Sequence, residues 1–259
     1  MSELPRYSAP ALKKGLEVLE LLSSVAEPMA MAEIAAQVGR SKGEIFRMIQ
    51  VLEEEGYIAR GGEGYLLTNR LFELGMQRPP IRDLVQSALP QMEKLAERAG
   101  QSCHLAIASR AQMVVVARVE APGYLGFAVR VGHRRPLAIT VSGLTLLAFQ
   151  DDATRVSMLE TVEKEGVPFD RAAVIEWTDQ ARARGFIRQQ SRMTPAVTDL
   201  SAPILLRGNA RAALTMPYLK GSAVALDEQE AVTALLETAA TISSIIEFGD
   251  PAGGAPARD

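Results

Sequence analysis

Cysteine is almost missing from this chain. Cys103 stands alone among 259 residues, which excludes an intrachain disulfide and fits a reducing compartment. Histidine is nearly as scarce, so Cys103, His104 and His133 are the only soft ligands and no structural zinc site is expected. No window reaches the ~18 consecutive apolar residues of a membrane-spanning helix. Residues 1–10 lack the basic start and apolar stretch of a secretory signal. An excess of positive charge is lacking too. The formal net charge is −3, and residues 1–78 hold nine basic against eleven acidic side chains. Affinity for a polyanion then has to come from where charges sit, not from their sum. What is present is 47% hydrophobic and 23% charged, the composition of a globular chain with room for one large domain or two ordinary ones. The expectation is a cytoplasmic protein with no membrane segment, metal or cofactor.

Periodicity organises the first part. Leu12, Leu16, Leu19 and Leu22 recur every three or four residues, which predicts a helix over 11–24 with these leucines inward. Glu27-Pro28 breaks it. A short second helix over 30–38 turns Ile34, Ala35 and Val38 inward, and Gly39 permits the sharp positive-φ turn that follows. Ser41 is an N-cap with Glu44 at the capping-box spacing. A third helix carries Ile45, Met48, Ile49 and Leu52 on one stripe to Gly56, its C-terminal glycine. Extended pieces at 57–60 and 65–68 flank the glycine turn 61–64, which makes a wing. Residues 69–77 read as helical up to Pro79-Pro80, and an apolar stripe over 81–99 marks a long helix bent at Pro90.

The remainder changes character. Short strand-like runs fall at 103–109, 112–120 and 124–131, the last alternating Leu125, Phe127, Val129 and Val131 with smaller or polar residues. Helices are expected at 142–149, 154–164 and 172–184, strands at 186–192, 199–206 and 211–218. Asp227 caps a final helix to about 248, before a Pro/Gly/Ala-rich tail. The fold class is α+β: a winged helix-turn-helix at 1–68, a linker helix at 69–80, an antiparallel sheet flanked by helices at 81–248 and a disordered tail at 249–259.

Three small helices with a wing suit a DNA reader whose third helix enters the major groove by its N-terminal residues. Its exposed start offers Arg40, Ser41, Lys42, Glu44 and Arg47. Arg47 and Ser41 are assigned to positioning on phosphates, Lys42 and Glu44 to reading base edges, and Arg60 on the wing to the backbone or minor groove. The plain alternative is a solvated helix face. Catalysis finds little support: Cys103 and His104 are adjacent on a strand and point to opposite faces, so neither can activate the other. His133 lies beside Arg134 and Arg135 in a turn, which reads as surface. An enzyme on the second domain, or a winged helix that contacts a protein, are the rival classes.

Taken in order, residues 40–49, 52–58, 11–22, 65–68, 135–143, Gly185-Phe186, Ser201-Ala202-Pro203 and 211–217 resemble the IclR family of bacterial transcription regulators. The resemblance implies a winged helix, a linker helix and a GAF-like effector domain. It also implies homodimers or dimers of dimers on operator DNA, controlled by a small carboxylated or aromatic metabolite. Carried over residue by residue, the pocket floor is Thr140, Val141, Ser142 and Gly143, where a strand meets a helix N-terminus able to hold a carboxylate. Gln189, Asp199 and Thr215 fall on ligand-facing positions, and Leu125, Phe127 and Val129 form an apolar wall. The plain readings are that Thr140 and Ser142 cap the helix and that Phe127 and Val129 are core. Ala138, Leu144, Gly43 and Asp199 depart from the family pattern. Asp199 matters most, because an acid repels an anionic effector and calls for a hydroxyl or amine donor beside it.

Overall fold

The computed structural model describes residues 9–76, 79–123, 126–191, 194–221 and 225–249. The predicted tail at 249–259 lies outside them except for Gly249. The chain divides into two compact units, Met1–Arg82 and Asp83–Asp259.

The first unit is α1 (Pro10–Leu22), α2 (Met31–Gln37), α3 (Lys42–Glu54), the hairpin β1 (Ile58–Gly61) and β2 (Gly64–Leu67), and α4 (Arg70–Met76). Val18, Leu19, Leu22, Ile34, Ala35, Ile45, Ile49 and Ile58 form its core, each large side chain stabilising the unit by about 1.5–3 kcal/mol on burial. Gly39 takes φ +66° between α2 and α3, a left-handed conformation that a Cβ would strain. The hairpin is pinned to the chain before α2, where Met29 N donates to Tyr65 O and Tyr65 N donates to Met29 O, both at 2.9 Å. One expectation fails here. Leu12 is 65% and Leu16 50% exposed, because α2 and α3 bury only the last two turns of α1.

The second unit is a six-stranded, wholly antiparallel sheet between two helical layers. In chain order its strands are β3 (Cys103–Ser109), β4 (Gln112–Val119), β5 (Arg134–Pro136), β6 (Ile187–Gln190), β7 (Val197–Leu206) and β8 (Asn209–Leu219). They lie side by side as β5-β4-β3-β8-β7-β6. α5 (Pro79–Ala99), which continues through Pro90 as one element, and α9 (Glu228–Phe248) cover one face. Leu105, Leu200, Ala202, Ile204, Leu214 and Met216 point into that layer. α9 is long and apolar enough by composition to cross a membrane, yet Ala231, Val232, Leu235, Ala239 and Ile242 pack into this core. The other face carries α6 (Val141–Ala148), α7 (Asp152–Lys164) and α8 (Arg171–Arg184) over Ala106, Val115, Ile187 and Ala213.

The strand expected at 124–131 does not form. Residues 124 and 125 lie outside the described residues, and 126–131 is irregular. Alternation alone cannot make a strand without a partner, and the free edge of β4 is taken by β5 through Gln112↔Pro136, Met113↔Arg135 and Val114↔Arg134. The segment turns back instead, with His133 N donating to Arg130 O and Gly132 N to Val115 O. A 3-10 turn at Leu137–Ile139, not a strand, then leads into α6.

Candidate functional site

Local hydrogen bonding builds the start of α3. Ser41 N and Ser41 Oγ donate to Glu44 Oε2 at 3.0 and 2.9 Å, while Glu44 N donates to Ser41 Oγ at 3.4 Å. Lys14 Nζ on α1 donates to the other oxygen, Oε1, at 2.9 Å. The Ser41 backbone bond and then Lys14 hold the Glu44 carboxyl down at about 2. Glu44 is therefore a cap and an interhelical tie, with both of its oxygens already hydrogen-bonded inside the unit. Arg40 pairs with Glu17 at 3.5 Å. Arg60 pairs with Glu53 at 3.1 Å and lies over the Tyr65 ring at 5.5 Å. Lys42 and Arg47 carry no ion pair among the described residues, which leaves them as the open cations of this face. Between them Phe46 is 46% exposed, an aromatic that the charge pattern did not single out. Its signal was its place one residue past the core position Ile45.

In the second unit a cavity of about 450 Å³ opens on the α6 side of the sheet. Every strand reaches it: Arg135 from β5, Met113 from β4, His104 from β3, Thr215 from β8, Asp199 from β7 and Gln189 from β6. Phe127, Val129, Thr140, Val141 and Ser142 line it as well. Two expected residues are not placed there. Leu125 lies outside the described residues. Gly143 packs against the 3-10 turn, where a Cβ would lie 2.2 Å from Leu137 O. Its amide is also used, since Gly143 N donates to Thr140 Oγ1 at 3.1 Å. Thr140 thus caps α6 while it lines the cavity.

The buried end of the cavity is a hydroxyl chain. His104 Nε2 lies 3.2 Å from Ser142 Oγ, Ser142 Oγ lies 2.9 Å from Thr215 Oγ1, and Thr215 Oγ1 lies 2.8 Å from Ser201 Oγ. Strand register makes this row, because His104 opposes Thr215 and Ser201 opposes Thr215 across adjacent strands. Burial, and then the charge of His133, lower the His104 pKa to about 4, so the ring is neutral at pH 7. Asp199, one alternation along β7 from Ser201, is pushed up to about 6 by burial against the opposing bond to Ser191. Cys103 points the other way, is pushed up to about 12 by burial and donates its thiol to Met92 O at 3.6 Å. A thiol so protonated and a base on the opposite face perform no nucleophilic chemistry.

Residue-level reading missed His104, Ser201, Arg130, His133 and Arg135. His133, read as surface, is exposed and also stands at the mouth of the cavity with Arg130 and Arg135. The alternation of Cys103 and His104 was the available signal for His104, but which strand His104 would face was not visible.

A helix-turn-helix followed in one chain by a sheet that shelters a ligand-sized cavity defines a transcription regulator carrying its own sensor. The comparisons agree. Residues 11–62 match the IclR helix-turn-helix domain and residues 81–244 match the bacterial transcriptional regulator IclR C-terminal domain. The chain belongs to the IclR family of bacterial transcription regulators, which are not enzymes. The HTH-type transcriptional regulator KdgR of Escherichia coli K12 is 29% identical over 236 residues, 87% of this chain and 89% of that protein. The glycerol operon regulatory protein of Streptomyces coelicolor is 25% identical over 202 residues, covering 75% and 78%. An IclR homologue from Microbacterium hydrocarbonoxydans, solved with 4-hydroxybenzoate, shares the fold with a TM-score of 0.75 at 23% identity, over 90% of this chain and 98% of that one.

Proposed function

We propose that this regulator grips operator DNA through Lys42, Phe46 and Arg47 on α3, with Arg60 on the wing, and that a small organic acid in the sheet cavity changes that grip. Ser41 fixes the start of α3 and Arg40 flanks it. The observation that carries the effector half is the cavity itself: 450 Å³, mainly apolar walls and a few convergent polar groups, the usual build of a small-molecule site. The complex of the Microbacterium homologue with 4-hydroxybenzoate supports an aromatic acid as the first ligand to try.

The working unit is a homodimer in the cytoplasm, with residues 69–80 as the linker between head and sensor, and dimers of dimers as the larger assembly. Support for pairing comes from apolar side chains with no cover in one copy: Leu12, Leu16, Leu71 and Phe72 are all exposed. A two-fold protein matches a two-fold operator.

The test is an anisotropy titration against the intergenic DNA upstream of the gene, at two salt concentrations, with and without 4-hydroxybenzoate. Log affinity should fall linearly with log salt, and a saturable ligand shift should follow from linkage between the two sites. Binding that ignores salt would favour a winged helix that contacts protein.

A further inference from the structure

The cavity has two chemically different ends. At the β5 end Arg130, His133 and Arg135 stand at the mouth, and the two arginines carry no ion pair among the described residues. At the β6–β7 end Asp199 is the one carboxylate on the described cavity wall, with Gln189 beside it as its cross-strand partner. Four strand spacings separate β5 from β7, roughly 19 Å along a flat sheet at about 4.8 Å per strand, and an arginine side chain spans part of that. The remaining gap suits a ligand of one ring or a six-carbon chain.

The start of α6 offers an anion less than its position suggests. Thr140 already accepts from Gly143 N, and the hydroxyls of Ser142 and Thr215 are spent on each other and on His104 and Ser201. That hydroxyl row ends one alternation from Asp199, so a carboxylate placed there sits close to a like charge in a poorly solvated site. Arg130 and Arg135 lie at the opposite, β5 end of the same cavity, where a carboxylate gains charge-assisted hydrogen bonds instead.

Resting on the effector reading above, we infer that the cavity selects a hydroxylated monocarboxylate that lies across the sheet, its carboxylate between Arg130 and Arg135 and its hydroxyl donated to Asp199. Dicarboxylates of the same length are rejected because their second anion meets Asp199. Selectivity of this kind comes from the repulsive element as much as from the attractive one.

Calorimetric titration of the full chain with two matched series tests this. One is 4-hydroxybenzoate, benzoate, terephthalate and 4-hydroxybenzyl alcohol; the other is 6-hydroxyhexanoate, hexanoate, adipate and 1,6-hexanediol. In at least one series the hydroxy acid should bind best and the diacid and diol worst, by about tenfold or more. Arg130→Gln with Arg135→Gln should remove the preference for acid over alcohol, and Asp199→Asn should admit the diacid about tenfold more tightly. The Asn variant is isosteric and its readout is a gain, which a misfolded protein cannot give. The orientation is overturned if the diacid binds the unaltered protein as well as the hydroxy acid does. It is equally overturned if an acid excluded by the cavity-filling Val129→Trp ignores both arginine substitutions; the effector reading then survives. If no compound of either series binds, the orientation and the effector reading fall together.

Discussion

At the start of α3 the polar groups are held by close neighbours: Ser41 and Glu44 close on each other three residues apart, and only Lys14 reaches in from another helix. In the cavity, hydroxyls and imidazole meet across separations of 14, 38 and 73 residues. The head is assembled by short-range rules and the sensor by sheet register. The two regions should fail differently. Damage to the head should appear first in DNA affinity, and damage to the sensor in folding and ligand choice.

The largest effect is expected at Gly143. A Cβ there lies 2.2 Å from Leu137 O and 2.6 Å from Leu137 Cα, backbone atoms that no rotamer change can move aside. Gly143→Ala should cost about 3 kcal/mol, the upper range for overpacking a core, read as a lowered urea midpoint. An unchanged midpoint would mean the 3-10 turn moves freely. Arg47→Ala comes next. Removing a cation of the proposed DNA face that has no ion pair among the described residues should cost roughly tenfold to a hundredfold in operator affinity, equally on all sequences, and lower the salt slope by about one. A loss confined to one operator variant would show that Arg47 reads a base.

That contrast also explains what the chain disclosed before its fold was known. The caps at Ser41 and Asp227, the glycine turn at Gly39, the wing and the inward stripe of α3 were legible, since each is a pattern within a few residues. Among the effector positions, Thr140, Val141, Ser142, Gln189, Asp199 and Thr215 came from the family resemblance and not from spacing. His104, Ser201 and Arg135 were hidden because strand pairing, which brings them together, leaves no mark in local sequence. Leu12 and Leu16 misled for a related reason: periodicity shows that a stripe is apolar, not how much of it the rest of the unit covers.

The two titrating groups of the cavity wall, His104 and Asp199, give a smaller effect with a definite sign. His104 falls from an ordinary 6.5 to about 4, so between those values the unfolded chain binds a proton that the folded one refuses, and stability rises with pH across the window. Asp199 climbs from 3.8 to about 6, so the folded chain holds the extra proton and stability falls as pH rises through nearly the same range. The two slopes oppose. Asp199→Asn should leave the histidine slope bare, losing about 1–2 kcal/mol relative to the unaltered protein as pH drops from 6.5 to 4, a figure reduced for the solvent that still reaches Asp199. His104→Asn should show the opposite tilt. Urea unfolding across that range checks both, and parallel curves for all three proteins would refute the opposed slopes.

The smallest effect is the sharpest test of the contrast, because it asks whether a charged group on a DNA-reading face reads anything. On the proposed DNA face a carboxylate at Glu44 would be able to accept from cytosine, yet one oxygen holds the Ser41 cap and the other holds Lys14. Glutamine at this position keeps an oxygen for the cap, as capping boxes allow, and gives up the charge that draws Lys14. Alanine gives up both. If Glu44 serves the fold alone, Glu44→Gln should lower the melting temperature slightly, Glu44→Ala somewhat more, and both should weaken binding evenly across an operator library. If it reads a base, Gln should shift preference at one position with little change in melting temperature, because an amide offers a donor where the carboxylate could only accept. Freed of its partner, Lys14 would in either variant be one more mobile cation near the groove, so the even loss in affinity should be smaller at low salt than at high. A preference shift that persists at both salts would mean the cap opens when DNA arrives, and that the head too builds its site from more than its neighbours.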